Sequence, residues 1–394
     1  MRLNELLDVL FRWAHLVAGI LWIGNSMLFN WLDRQLIRTP GEHRLSQGRI
    51  FLVHSGAFYE VEKKLLAPGE LPRELHWFKW QNFFTWSTGI SLMVVVYYMN
   101  GAAFLVDPSV RALGQGEAIG LSIGSLILAW AIYDGLWMTL GPRSPGVATA
   151  LSFALLFGAG YGFTLLFSGR AAYIQTGVVI GTIMTGNVWL RILPSQRELI
   201  AATRSGREQD ERLSLAAKQR SIHNNYMTFP LLFIMISNHF PSAYGHHLNW
   251  AVLVAVMVGG AGVRHFMNVR YDGRLWLAPA LAMAGIGIAG MMAITRVHRA
   301  PAVAVTGTVS FARAQEIVVA RCMHCHSARP SDPFFPVAPS NVQFDTSERI
   351  QAMAARIKDR VFTNKTMPFL NRTNMTDAER AELAAWVDQG AKLE

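Results

Sequence analysis

Cysteine is almost missing from this sequence. The only two, Cys322 and Cys325, sit inside one five-residue motif, so no disulfide framework exists beyond that pair. Charge is scarce as well. Asp, Glu, Lys and Arg make up 16% of the chain against 52% hydrophobic residues, which excludes an ordinary soluble domain of this length. Internal repeats and low-complexity segments are lacking too. A formal net charge of +10 raises the question of nucleic acid, but its distribution answers it. From Ser310 onward eleven basic residues meet ten acidic ones. The excess therefore lies in the loops of the apolar part, where membrane topology accounts for it, and no nucleic-acid partner is expected.

What the chain has in abundance is long apolar runs. About 20 apolar residues cross the hydrocarbon as a helix, and eight runs qualify: Asp8–Trp31, Trp77–Tyr98, Glu117–Thr139, Val147–Ser168, Ala171–Leu190, His223–Phe240, Leu248–Phe266 and Leu275–Ile294. The sixth is the shortest and contains Pro230, which predicts a kink. The first is too long for a signal-peptide core and is read as a retained helix. Residues Phe51–Leu66 predict an amphipathic helix lying on the membrane surface.

The loops orient the bundle. Those after spans one, five and seven carry many Arg and Lys, including Arg34, Lys63, Arg204, Lys218 and Arg274. Those after spans two, four and six carry only Arg111, Arg170 and none. The positive-inside bias makes the odd-numbered loops cytoplasmic and both termini periplasmic. The expected organisation is an all-α polytopic membrane bundle over residues 1–296, a linker at 297–309, and a small α-helical class I cytochrome c domain over 310–394. The expected location is a bacterial inner membrane, with the lipid bilayer as a partner.

The tail carries the sharpest motif. Cys322-Met323-His324-Cys325-His326 is C-x-x-C-H, the haem c attachment pattern. Two thiols add to the haem vinyl groups, and the adjacent His326 is placed to bind the iron. A second axial ligand is expected downstream. Met367, before Pro368, is favoured over Met375, which directly precedes a capping box at Thr376–Glu379.

Ionisable groups within spans are functional candidates by default. His15 in the first span and His239 at the end of the sixth form a candidate haem b ligand pair, with Arg12 one turn before His15. Their alternative role is in hydrogen bonding between helices and at the interface. His54, His76, His223 and His265 lie toward the other end, and Asp134 lies low in the third span. The stretch Lys218–Tyr226 concentrates donors at a helix start, where free amides and the dipole favour anions. It contains His223, Asn224, Asn225 and Tyr226.

Several segments carry a resemblance: His54–Lys63, Leu75–Trp80, Lys218–Tyr226 and Ser237–His239. Together with eight helices followed by one cytochrome c domain, they resemble the bacterial membrane-bound, cytochrome c-linked urate oxidases over nearly the whole chain. The resemblance implies oxidation of urate to 5-hydroxyisourate. Electrons would then leave through haem c to a soluble cytochrome c or a terminal oxidase. Arg220, Asn224, Asn225 and Gln219 could bind the edges of the purine, with Tyr226 in the same cluster, and His223 or His54 could take a proton. Competing readings are a quinol or porphyrinogen dehydrogenase with a haem c outlet, and an electron-transfer module with no substrate of its own.

Overall fold

The computed structural model describes residues 3–37, 46–67, 69–99, 102, 104–108, 110–269, 275–296, 305–333, 335 and 337–394. Helices occupy all eight expected spans. They are α1 (Leu3–Gln35), α2 (Trp80–Leu92), α3 (Gln115–Thr139), α4 (Pro145–Leu166), α5 (Gly169–Gly186) with its continuation α6 (Leu193–Ser205), α7 (Glu211–Ile236), α9 (Asn249–Val269) and α10 (Leu277–Thr295); the short α8 (Pro241–Tyr244) follows α7. Among the described residues, six helices are long and apolar enough to cross a membrane. The other two depart from that standard for visible reasons. α2 runs only 13 residues before passing into a π-helical turn, Met93–Tyr98. α7 is long, but its first half is built from charged and amide residues.

The sixth span is therefore not the shortest, because α7 begins twelve residues earlier than its apolar run. Pro230 lies inside it without ending it. Its ring faces Gly260 of α9, where an added Cβ would come within 3.2 Å of the proline Cδ. The absence of a side chain at Gly260 lets the two helices approach at the point where proline removes a backbone donor.

Burial is inverted relative to a soluble bundle. Trp13 is 70% exposed and Ile127 68%, whereas Gln175, Thr176 and Asn187 are fully buried. Apolar side chains facing outward suit lipid, and polar ones inside hold the helices together. One such junction joins α2, α3 and α5. The Tyr98 hydroxyl bonds Ser122 at 2.7 Å, and Ser122 donates to Gln175 Oε1 at 2.7 Å.

The surface helix expected over Phe51–Leu66 is not formed. Ser46–His54 (β1) and Ala57–Lys64 (β2) make an antiparallel hairpin. Ser55 and Gly56 both have positive φ (52° and 76°), the geometry of a two-residue turn matching strand twist. Alternation of side chains along Glu60-Val61-Glu62 fits the period of a strand, not that of a helix.

The tail packs α11 (Phe311–Arg321), α12 (Ser347–Ala352), α13 (Ala354–Lys358) and α14 (Asp377–Asp388) around Ile317, Ile350, Leu383 and Trp386. α14 opens on a capping box between Thr376 and Glu379. Most of the expected linker, 297–304, lies outside the described residues. The tail rests on one end of the bundle. Phe104 and Phe369 meet with ring centroids 4.8 Å apart, and an added Cβ at Gly245 would come within 2.7 Å of the Asn364 carbonyl oxygen.

Candidate functional site

Two cavities mark the two ends of the bundle. The one away from the tail has a volume of about 530 Å³ and lies between α1, the segment leading into α2, the α5–α6 junction and α7. Its walls carry Trp22, Phe29, Trp77 and Phe78 as flat apolar surfaces. Asn25, Ser26, Gln81, Gln196, Ser221, Asn224 and Thr228 supply neutral donors and acceptors, and His76, Lys64 and Lys79 supply basic groups. The Oε1 atom of Gln81 is buried and has no hydrogen-bond partner. A buried amide oxygen that lacks a partner among the described residues costs free energy.

The helical cluster Arg220–Tyr226 does not act as one group, because consecutive residues on a helix face different ways. Ser221, Asn224 and Thr228 share the cavity face. Asn224 is held there from behind. It accepts from Asn187 at 2.9 Å and donates to the Met184 carbonyl at 3.0 Å. The π-helical turn Asn187–Ile192 brings Asn187 to this point, where it also donates to the Tyr133 hydroxyl at 3.1 Å.

Arg220 and His223 instead face α3. Arg220 donates to Asp134 Oδ1 at 2.8 Å, and its guanidinium lies 4.9 Å from the Tyr133 ring centre. Asp134 also pairs with Arg191. His223 is hydrogen-bonded to the Tyr133 hydroxyl at 2.7 Å and packs on Trp137, with ring centroids 4.1 Å apart. Asn225 turns to α9, accepting from Arg264 and from Asn268, each at 2.9 Å. Tyr226 bonds His265 at 2.8 Å. Of the residues expected to form the substrate site, only Asn224 lines the cavity; His54 sits at the exposed end of β1 beside the hairpin turn. Asn25, Ser26, Gln81 and Gln196 were not anticipated. Nothing in their spacing on three different helices marks them before the helices are packed.

The second cavity, of about 330 Å³, lies where the tail meets the bundle. Cys322, Cys325, His326 and Met367 all line it. Removal from water pushes the Cys322 thiol up to about 12, with Cys325 beside it adding to the shift, and burial pushes that of Cys325 up to about 11. His326 Nδ1 lies 3.1 Å from the Val342 carbonyl oxygen. That oxygen can only accept, so Nδ1 carries the proton and Nε2 keeps its lone pair. Burial, opposed by the bond to Val342, holds the imidazole below its ordinary range. Met375 is buried in the tail core instead, its backbone N–H bonded to Asn371 Oδ1 at 3.0 Å.

Among the described residues no hydrogen bond or ring contact joins His15 directly to His239. His15 Nδ1 is 2.9 Å from the Thr85 carbonyl in the α1–α2 seam, its ring fitted against Gly89. His239 is exposed after the end of α7, and Arg12 pairs with Asp8 at 2.7 Å.

The architecture is thus that of an all-α polytopic helix bundle, apolar outside and polar within, with a small helical tail seated on one end. Within that class, the chain belongs to the family described as Urate oxidase N-terminal, whose model matches residues 1–296. No curated protein and no solved structure matches it. Membership ties the chain to urate-related oxidation.

Proposed function

We propose that the chain is a membrane urate:cytochrome c oxidoreductase that takes urate in the cavity away from the tail. The observation that carries the reading is a cavity whose wall combines flat aromatic rings with amide side chains from α1, α2, α6 and α7. Urate is a flat anion whose rim alternates N–H donors and carbonyl acceptors. Trp22, Phe29, Trp77 and Phe78 match its faces. Asn25, Gln81, Gln196 and Asn224 bring amide groups to the wall that would meet its rim. Lys79 adds positive charge; its ammonium lies 5.2 Å from the ring centres of Trp77 and Trp80.

The reaction is urate plus water giving 5-hydroxyisourate, two protons and two electrons. His76 is the cavity's imidazole and is the proposed base, in place of His223 and His54. The residues of the second cavity fit a covalent haem c. Cys322 and Cys325 would hold it, and His326 Nε2 and the Met367 thioether would bind its iron. Bound there, it supplies a one-electron acceptor, so urate is oxidised in two single-electron steps. The loop charges support a bacterial inner-membrane setting with the tail in the periplasm, where a soluble cytochrome c or terminal oxidase takes the electrons.

Arg170, on the second cavity, and Met184, on the first, both belong to α5. At 1.5 Å per residue they lie roughly 20 Å apart along the axis. Tunnelling decays exponentially with distance, so this separation calls for an intermediate redox group in the bundle. Extraction of the purified protein should release noncovalent haem or another redox group; finding covalent haem alone would remove the intermediate.

Gln81→Leu and Asn224→Leu test the substrate site. Each leaves a urate polar atom unpaired, so urate-driven reduction of the covalent haem should slow at least tenfold at equal haem content. Unchanged rates in both variants would place the substrate elsewhere.

A further inference from the structure

The cavity around Cys322 and Cys325 is not built by the tail alone. Phe104, Arg170, Pro241 and Tyr244 of the bundle form part of its wall. Arg170 stands in the first turn of α5. Its Nε donates to Asn238 Oδ1 at 2.9 Å, and its guanidinium packs 5.4 Å from the Phe104 ring centre. Those two contacts fix its direction while leaving both terminal amino groups for another partner. No carboxylate pairs with it among the described residues, in contrast to Arg321, which lies 2.9 Å from Glu379.

From the tail side, Arg360 lines the same cavity. Its acidic partner is its own chain neighbour Asp359, at 3.8 Å, a distance that leaves the pairing weak. Two guanidinium-bearing residues and a tyrosine, drawn from both domains, thus line the same cavity. Planar guanidinium groups are suited to carboxylates, which they can grip through two parallel hydrogen bonds.

We infer that Arg170 is a positioning residue for the prosthetic group bound at Cys322 and Cys325. Together with Arg360 it clamps a carboxylate of that group across the boundary between bundle and tail. The inference rests on the haem c reading of the cavity. On this view the tail's redox site is complete only when the tail is seated, and the seating contacts at Phe104–Phe369 and Gly245 serve to hold the clamp together.

The test uses the full-length protein and two readouts other than turnover: covalent haem content and midpoint potential. Arg170→Gln should keep the covalent haem, because the cysteines hold it. Loss of a positive charge beside the carboxylate destabilises the reduced state. At a fixed ambient potential the reduced-to-oxidised ratio should fall about tenfold, which is 59 mV for a one-electron couple. Arg170→Lys keeps the charge but not the paired hydrogen bonds and should fall by less; it also serves if the glutamine variant fails to fold. Phe104→Leu loosens the seam and one support of Arg170 but keeps the charge, so its ratio should fall by less than that of Arg170→Gln. Covalent haem with an unchanged potential in Arg170→Gln overturns the clamp alone. An equal fall in Phe104→Leu also overturns it, by assigning the effect to seating. Absence of covalent haem from the parent protein overturns the haem c reading itself.

Discussion

Arg220 shows how a side chain can look like a ligand-binding group and serve another purpose. It is 2% exposed, bonded to Asp134 and stacked over Tyr133. Removing one member of a buried ionic group strands the charge of the others and costs about 3–5 kcal/mol. Arg220→Ala should therefore lower the thermal stability of the detergent-solubilised protein sharply. Arg191→Ala should lower it less, since that side chain is 32% exposed. Equal and small effects would contradict the structural role. Asn224 is the converse case. Its polarity in an apolar run was a visible signal, and it does line the cavity. Its neighbours Asn225 and Tyr226 carried the same signal but belong to the α7–α9 seam. A linear sequence gives the residue type; only helical phase and packing decide which neighbour each side chain meets. The C-x-x-C-H motif was legible at once because attachment chemistry imposes its spacing within one turn. Met367, which lines the same cavity as His326, was legible only as a preference, since forty residues of chain separate the two.

Among the elements, the long spans could be read from the sequence because lipid demands one property over about 20 residues. The shorter features could not. The hairpin of β1 and β2 was hidden by an apolar stretch of mixed period, although Ser55-Gly56 between alternating residues is a turn signal. The π-helical turn at Asn187–Ile192 leaves no pattern of its own, yet it aims Asn187 at Asn224 and Arg191 at Asp134. The placement of the hairpin makes a prediction at this scale. His54 stands beside an exposed turn, away from the cavity, so His54→Ala should leave the rate of urate-driven haem reduction within about twofold of the parent, as expected for a surface site. A loss of an order of magnitude would return His54 to the catalytic machinery and show that the hairpin folds over the substrate.

At the scale of the whole molecule, the bundle presents apolar side chains outward, a cavity lined by amides and aromatic rings at one end and, at the other, a cavity shared with the tail and lined by Cys322, Cys325, His326 and Met367. The family match covers the bundle, while the tail's role is argued from the thiols, imidazole and thioether that share its cavity. The account stands or falls on whether these two ends communicate. The most direct test is to add urate to the purified, fully oxidised protein without oxygen and to follow the haem c absorption band. The account predicts that the band shifts to its reduced form, with up to two haems reduced per urate consumed. A band that stays oxidised with urate, yet responds to dithionite, would contradict the oxidoreductase reading and favour a quinol-type donor or a relay.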